Sequence, residues 1–123
     1  MSEIVNKKAL GDWGEEQAAR FLQSKGAKIV ERNYKTRFGE LDIIAQIDKY
    51  IVFVEVKLRK NNHYGYAMEY VDYRKQRKLS VTAEIWLRQN RTRLQPRFDV
   101  IEIYAPYGEQ TVRPTINHIE NAF

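Results

Sequence analysis

The 123-residue chain has no cysteine, three prolines, six glycines and two histidines. Without cysteine there are neither disulfides nor thiolate zinc sites, which fits a reducing compartment, and a cytoplasmic location is expected. His63 and His118 lack the paired spacing of a zinc site and are given no role. No stretch rich in proline, glycine or serine divides the chain, so residues 1–123 are expected to form one domain. The longest strictly apolar run, Ile51 to Val54, is far shorter than the about 20 residues of a membrane helix, and no signal-peptide pattern is present. A membrane partner is therefore not expected. Internal repeats and low-complexity segments are missing too.

What is present is enough apolar content, 43%, for one core, and a net charge of +5 that is unevenly spread. Between Lys57 and Arg97 there are eleven Lys or Arg residues against Glu69, Asp72 and Glu84. The densest part is Arg74-Lys75-Gln76-Arg77-Lys78. It opens a stretch in which Leu79, Ala83 and Trp86 recur at helical spacing. A charge run is usually a solvated face, and basic content alone indicates nucleic acid weakly. Lys75, four residues before Leu79, is the one expected to point inward.

Three residues give the basic surface a chemical context. Tyr50 to Lys57 is β-branched and aromatic, as a strand requires, so Phe53, Glu55 and Lys57 share one face and Val52, Val54 and Val56 the other. Gly39 to Gln46 reads as a preceding strand, joined through a tight turn near Asp48. Asp42 and Glu55, thirteen residues apart, then lie on neighbouring strands with Lys57 beside them. Glu and Lys two apart at a strand end are often a solvated edge. Here they interrupt an apolar run, where a charge needs a partner. Two acids and an amine so arranged can hold Mg²⁺ or Mn²⁺ and prepare water to attack a phosphodiester.

A further carboxylate comes from a helix expected over Leu10 to Lys25 and stopped by Gly26. Ala18, Ala19 and Leu22 stand three, four and seven residues after Glu15, which puts Glu15 on their inward face. Glu16, four before Arg20, is an ordinary surface partner. Glu15 has a second reading, as the last residue of a capping box opened by Asp12. The loop Asn61 to Tyr66 leaves the Lys57 strand, and Tyr64 or Tyr66 is placed either to stack on an unpaired base or to fold onto the domain. Arg97 to Tyr104 reads as another strand, on which Arg97 and Asp99 share a face and pair with neighbouring charges. Residues from about 105 onward, with prolines and Gly108, read as an extended tail that packs on the sheet or joins two subunits.

The phrases GDWGEEQAARFL, GELDIIA, VFVEVKLR and RFDVI, in order from about Gly11 to Ile103, resemble the YraN-like family of small bacterial proteins. That family is related to the PD-(D/E)xK nucleases, which include restriction endonucleases and archaeal Holliday-junction resolvases. The resemblance implies an α/β fold with a restriction-endonuclease-like core: a helix, a three-stranded antiparallel meander, a second helix, and a further strand in a mixed sheet. It implies Asp42 and Glu55 as metal-binding acids, Lys57 as the lysine of the E-x-K element, and Glu15 as the helix-borne glutamate of the resolvase-like branch. Glu40 belongs to the family's G-E-x-D phrase, and a lysine such as Lys75 is expected in the second helix. Leu41 stands where the superfamily has proline, a residue without chemistry in that site.

The function so implied is a Mg²⁺- or Mn²⁺-dependent endodeoxyribonuclease. Asp42, Glu55, the Val56 carbonyl and Glu15 would hold metal. Lys57 would orient water and stabilise charge at phosphorus, and Arg59, Lys60, Arg74, Lys75, Arg77 and Lys78 would bind DNA, with Glu40, Gln76 and Tyr64 accessory. Carboxylates clustered without a cation should raise at least one pKa. Junction or branched DNA is the substrate the resemblance suggests, and resolvase-like enzymes act as homodimers. The rival expectation is a non-catalytic nucleic-acid-binding or interaction module on the same fold.

Overall fold

A computed structural model describes residues 6–60 and 72–123. Tyr64, His63 and the rest of the Asn61–Tyr66 loop lie outside them. The elements in order are α1 (Lys7–Ser24), β1 (Lys28–Thr36), β2 (Gly39–Ile47), β3 (Tyr50–Arg59), α2 (Tyr73–Gln89), β4 (Gln95–Tyr104), a 3-10 turn (Gly108–Gln110) and β5 (Thr115–Ile119). The strands form one sheet in the order β1-β2-β3-β4-β5. β1, β2 and β3 are an antiparallel meander, the crossover through α2 makes β4 parallel to β3, and β5 returns antiparallel.

The sheet is covered on both faces, which is why its central strands are apolar on both parities. Ile51 and Phe53 pack with Leu79, Ala83 and Trp86 of α2. Val52 and Val54 pack with Ala18, Ala19 and Leu22 of α1. Glu55 and Lys57 continue the α2 side, while Val56 and Leu58 remain against the α1 side. The β2–β3 turn holds Asp48 at a φ of 50°, a left-handed position that Asp tolerates and two-residue hairpins require.

Helix α1 begins three residues earlier than its apolar period suggests. Asn6 caps it by accepting from the Ala9 amide at 3.0 Å, so the capping box at Asp12 does not form, and Glu15 is left for other partners. Lys25 and Gly26 close the helix, with the Ala27 amide on the Leu22 carbonyl at 3.0 Å and Gly26 at a φ of 91°, as a glycine stop demands. Within residues 105–123, the stretch expected as an extended tail, Thr115–Ile119 pairs with β4 as the fifth strand. The end of the chain is fastened through Asp99, which is fully buried and accepts from Arg97 at 2.9 and 2.8 Å, from the Asn121 amide at 3.0 Å, and lies 2.7 Å from His118 Nε2. Burial pushes the Asp99 carboxyl up, but His118, Arg97 and the amide more than offset it and hold it below the usual range. Among the described residues no helix is long and apolar enough to cross a membrane.

Candidate functional site

The site begins where the sheet forks. The β2–β3 ladder stops at Ile43 opposite Val54, yet β2 stays paired with β1 as far as Gly39 and β3 stays paired with β4 as far as Arg59. Beyond the last pair the two strands part, and the Val56 amide loses the strand carbonyl that would have satisfied it. Asp42 fills that role, its Oδ2 accepting from Val56 N–H at 2.8 Å. The N–H and C=O of one strand residue lie on the same edge, so the Val56 carbonyl opens into the same gap. Leu41 and Ile44, three apart, both sit in the α2-side core. The side-chain alternation therefore slips at Asp42, which lines a cavity on each face of the sheet.

On the α2 side, Asp42 and Glu40 share a cavity of about 240 Å³ with Glu55, Lys75 and Lys78. Lys75 Nζ is 2.7 Å and Lys57 Nζ 3.5 Å from the same Glu55 oxygen. Gly39 makes this approach close: a Cβ there would stand 3.1 Å from Thr82 Oγ1 and 3.4 Å from the Lys78 carbonyl. On the α1 side, a cavity of about 460 Å³ joins Asp42 and Glu40 to Glu15, Asn33, Lys7, Lys8 and Lys35. Gly14 sets that approach, since a Cβ would stand 2.9 Å from both δ carbons of Leu58. Glu15, 6% exposed, accepts from Arg32 Nε at 3.1 Å and Asn33 Nδ2 at 2.9 Å.

Close acids in a half-closed cleft resist ionisation together. Burial, and after it the neighbouring Glu55, pushes the Asp42 carboxyl up to about 7, against the pull of the Val56 amide. Burial raises Glu15 as well, with Arg32 opposing. Burial and the adjoining Lys75 amine lower Lys57. Burial would also lower Lys75, but its hydrogen bond to Glu55 leads the contacts that outweigh it and raise its pKa.

Asp42, Glu55, Lys57 and Lys75 thus come together, with Glu40 and Lys78 beside them and Glu15 across the second cavity. The other sequence candidates are spread out. Arg59 donates to buried Glu102 at 3.3 Å, and Lys60 lines a groove at the end of the sheet. Arg77 and Gln76 line a shallow hollow with Tyr73 and Phe98 on the other flank of α2, and Arg74 is exposed. Arg32 and Asn33, which hold Glu15, escaped the sequence reading. Asn33 lies in β1 at a φ of 54°, a left-handed position tolerated by asparagine, and strand periodicity gives no signal for that. Lys7, Lys8 and Lys35 escaped because they lie outside the basic third of the chain.

Among the described residues no three carboxylates or imidazoles converge closely enough to enclose an ion by themselves. Mg²⁺ usually takes one or two carboxylates and keeps several waters. The Asp42–Glu55 pair with the Val56 carbonyl fits that demand for hard oxygen donors, and the two amines on Glu55 supply positive charge at the same place.

The sequence profile of the uncharacterised protein family UPF0102 matches residues 14–103. The chain is 45% identical over 120 residues to a UPF0102 protein of Clostridioides difficile, covering 97% of this chain and all of that one. It is equally similar over 120 residues to one of Caldanaerobacter subterraneus, covering 97% and 98%. A third, from Vibrio parahaemolyticus, is 45% identical over 121 residues, covering 97% and 95%.

Proposed function

The chain belongs to the uncharacterised protein family UPF0102, and from the geometry at its forked sheet we propose that it is a metal-dependent endonuclease hydrolysing DNA phosphodiesters. The observation that carries this reading is Asp42 in the fork, bonded to the Val56 amide, in one cavity with Glu55 and Lys75. An isolated surface ion pair would need neither the interrupted ladder nor the slip in alternation.

In this reading Asp42, Glu55 and the Val56 carbonyl hold Mg²⁺ or Mn²⁺. The cation supplies Lewis acidity to the phosphoryl oxygen and lowers the pKa of water. Lys75 and Lys57 neutralise Glu55, and with a cation held by Glu55 Lys75 would be placed to meet a phosphate oxygen. Lys57 Nζ orients the attacking water and stabilises the charge that develops at phosphorus. Glu15, steadied by Arg32 and Asn33, orders water on the α1 side. Lys7, Lys35 and Lys78 line the two cavities as phosphate partners.

The test is cleavage of labelled duplex, flapped, branched and single-stranded DNA with Mn²⁺ or Mg²⁺ and with chelator. Wild type is expected to cut at least one of them only with metal. Lys57→Ala should lower the rate by a factor at least ten beyond any loss of binding, because its contribution is realised mainly in the transition state. The second reading, a binding module without catalysis, is favoured by one observation: Glu55 is already neutralised by two lysines. Metal-independent binding with no cleavage of any substrate would select it.

A further inference from the structure

Away from the fork, the β4–β5 connection forms a groove of about 600 Å³ lined by Lys60, Tyr104, Tyr107, Val112, Arg113 and Thr115, among others. Its floor is rigid. The Tyr104 hydroxyl donates to Glu102, which is 1% exposed and in turn held by Arg59. Two apolar side chains of its lining are open to solvent, Tyr107 being 77% and Val112 91% exposed. The turn carrying them is tied by Gly108 N–H to the Ala105 carbonyl and by Tyr107 N–H to Thr111 Oγ1, both at 3.0 Å. Gly108, at a φ of 59°, sets the bend.

The charge of the lining selects the occupant. Lys60 and Arg113 are its cations, and among the described residues no acid lines it. A groove lined by one tethered tyrosine, one exposed tyrosine and only positive charge suits a flat π-system that carries an anion, which is a nucleotide with its base unstacked. A volume of this size is in the range of small-ligand sites. The position agrees: β3 and β4 are parallel and end together at Arg59 and Tyr104, and open α/β sheets bind ligands beyond the carboxyl ends of their strands. Lys57 and Lys60 are three residues apart on the path out of β3, about 10 Å at strand rise.

We propose that this groove binds an unpaired nucleotide of a single strand or branch, with Tyr107 stacking on the base and Lys60 and Arg113 on flanking phosphates. The proposal rests on the nucleic-acid reading of the fork and names the substrate feature recognised beside it. Nuclease activity on duplex DNA is not required for it.

The experiment is fluorescence anisotropy of labelled oligothymidylate and of a blunt duplex, with wild type, Tyr107→Ala, Tyr107→Phe and Arg113→Ala, at fixed salt and without metal. Tyr107→Ala should bind oligothymidylate roughly tenfold to a hundredfold more weakly, the range for losing one stacked base, and the duplex within about twofold of wild type. Tyr107→Phe should bind as wild type does, and Arg113→Ala should lose affinity with a shallower salt dependence. Equal loss on both DNAs, no loss on either, or no binding of oligothymidylate by wild type overturns the proposal. So does a concentration-dependent dimer in sedimentation that Tyr107→Ala dissolves, since the groove would then be a contact between copies. Tyr107-dependent single-strand binding without cleavage of any DNA would leave the groove standing and remove the nuclease.

Discussion

Asp42 is the residue on which the site turns, and its acidity makes its role measurable. Its carboxyl lies at about 7, against an ordinary 3.8, chiefly through burial and then through Glu55. Between those values the folded state binds the proton more tightly than the unfolded chain does. Stability therefore falls as pH rises through this window, and the deficit is complete above about pH 7. Asp42→Asn keeps an oxygen for the Val56 amide and removes the charge. Without metal the variant should unfold at a higher temperature than wild type near pH 8, and the two should converge near pH 4. The whole shift, at about 1.4 kcal/mol per unit, sets a ceiling of about 4 kcal/mol, which water in the open cleft reduces. A variant less stable than wild type near pH 8 would mean that Asp42 is an ordinary structural partner. The sequence showed Asp42, Glu55 and Lys57 as neighbours because strand parity is a local property. It did not show the Val56 amide bonded by Asp42, which depends on where two strands stop pairing.

The elements were legible where periodicity is strong and obscure where a cap or a slip decides. β3 and the inward face of α1 follow from alternation and the 3.6-residue period. The first turn of α1 does not, because Lys7 and Lys8 are polar and its start is set by the Asn6 cap. The GDWGE phrase has a plain steric use. Gly14 lets α1 approach β3 until Leu58 fills the space a Cβ would take, and this brings Glu15 to Arg32 and Asn33. Gly14→Ala would gain up to about 1 kcal/mol of helix propensity and lose about 1–3 kcal/mol to overpacking against Leu58, which is partly buried against the α1-side core. Gly11, with nothing near its absent Cβ, gains without loss. Urea unfolding should therefore find Gly11→Ala more stable than wild type by up to about 1 kcal/mol and Gly14→Ala less stable by a similar amount. Equal stabilisation of both would mean that Leu58 moves aside freely and that the glycine does not position the helix.

Across the whole molecule the positive charge is less one surface than several. The basic third of the sequence suggested a single phosphate-binding face, but Lys75 and Lys78 turn toward the fork, Arg77 lies on the other flank of α2, and Lys60 reaches the β4–β5 groove. Lys7, Lys8 and Lys35 add positive charge to the α1 side of the fork from distant parts of the chain. Composition reports the sum of such charges, and only the fold sorts them. In the proposed function this arrangement holds Asp42 and Glu55 together for a cation. The most direct measurement is thermal unfolding of wild type, Asp42→Asn and Glu55→Gln with and without Mn²⁺, at fixed ionic strength and near pH 7.5. A ligand of the folded state alone raises stability by about 2.7 kcal/mol at a concentration 100 times its dissociation constant. Wild type should therefore gain several degrees with Mn²⁺, while each variant gains little. Equal shifts in all three proteins, with both variants less stable than wild type without metal, would make Asp42 and Glu55 partners in a structural ion-pair network and contradict the account.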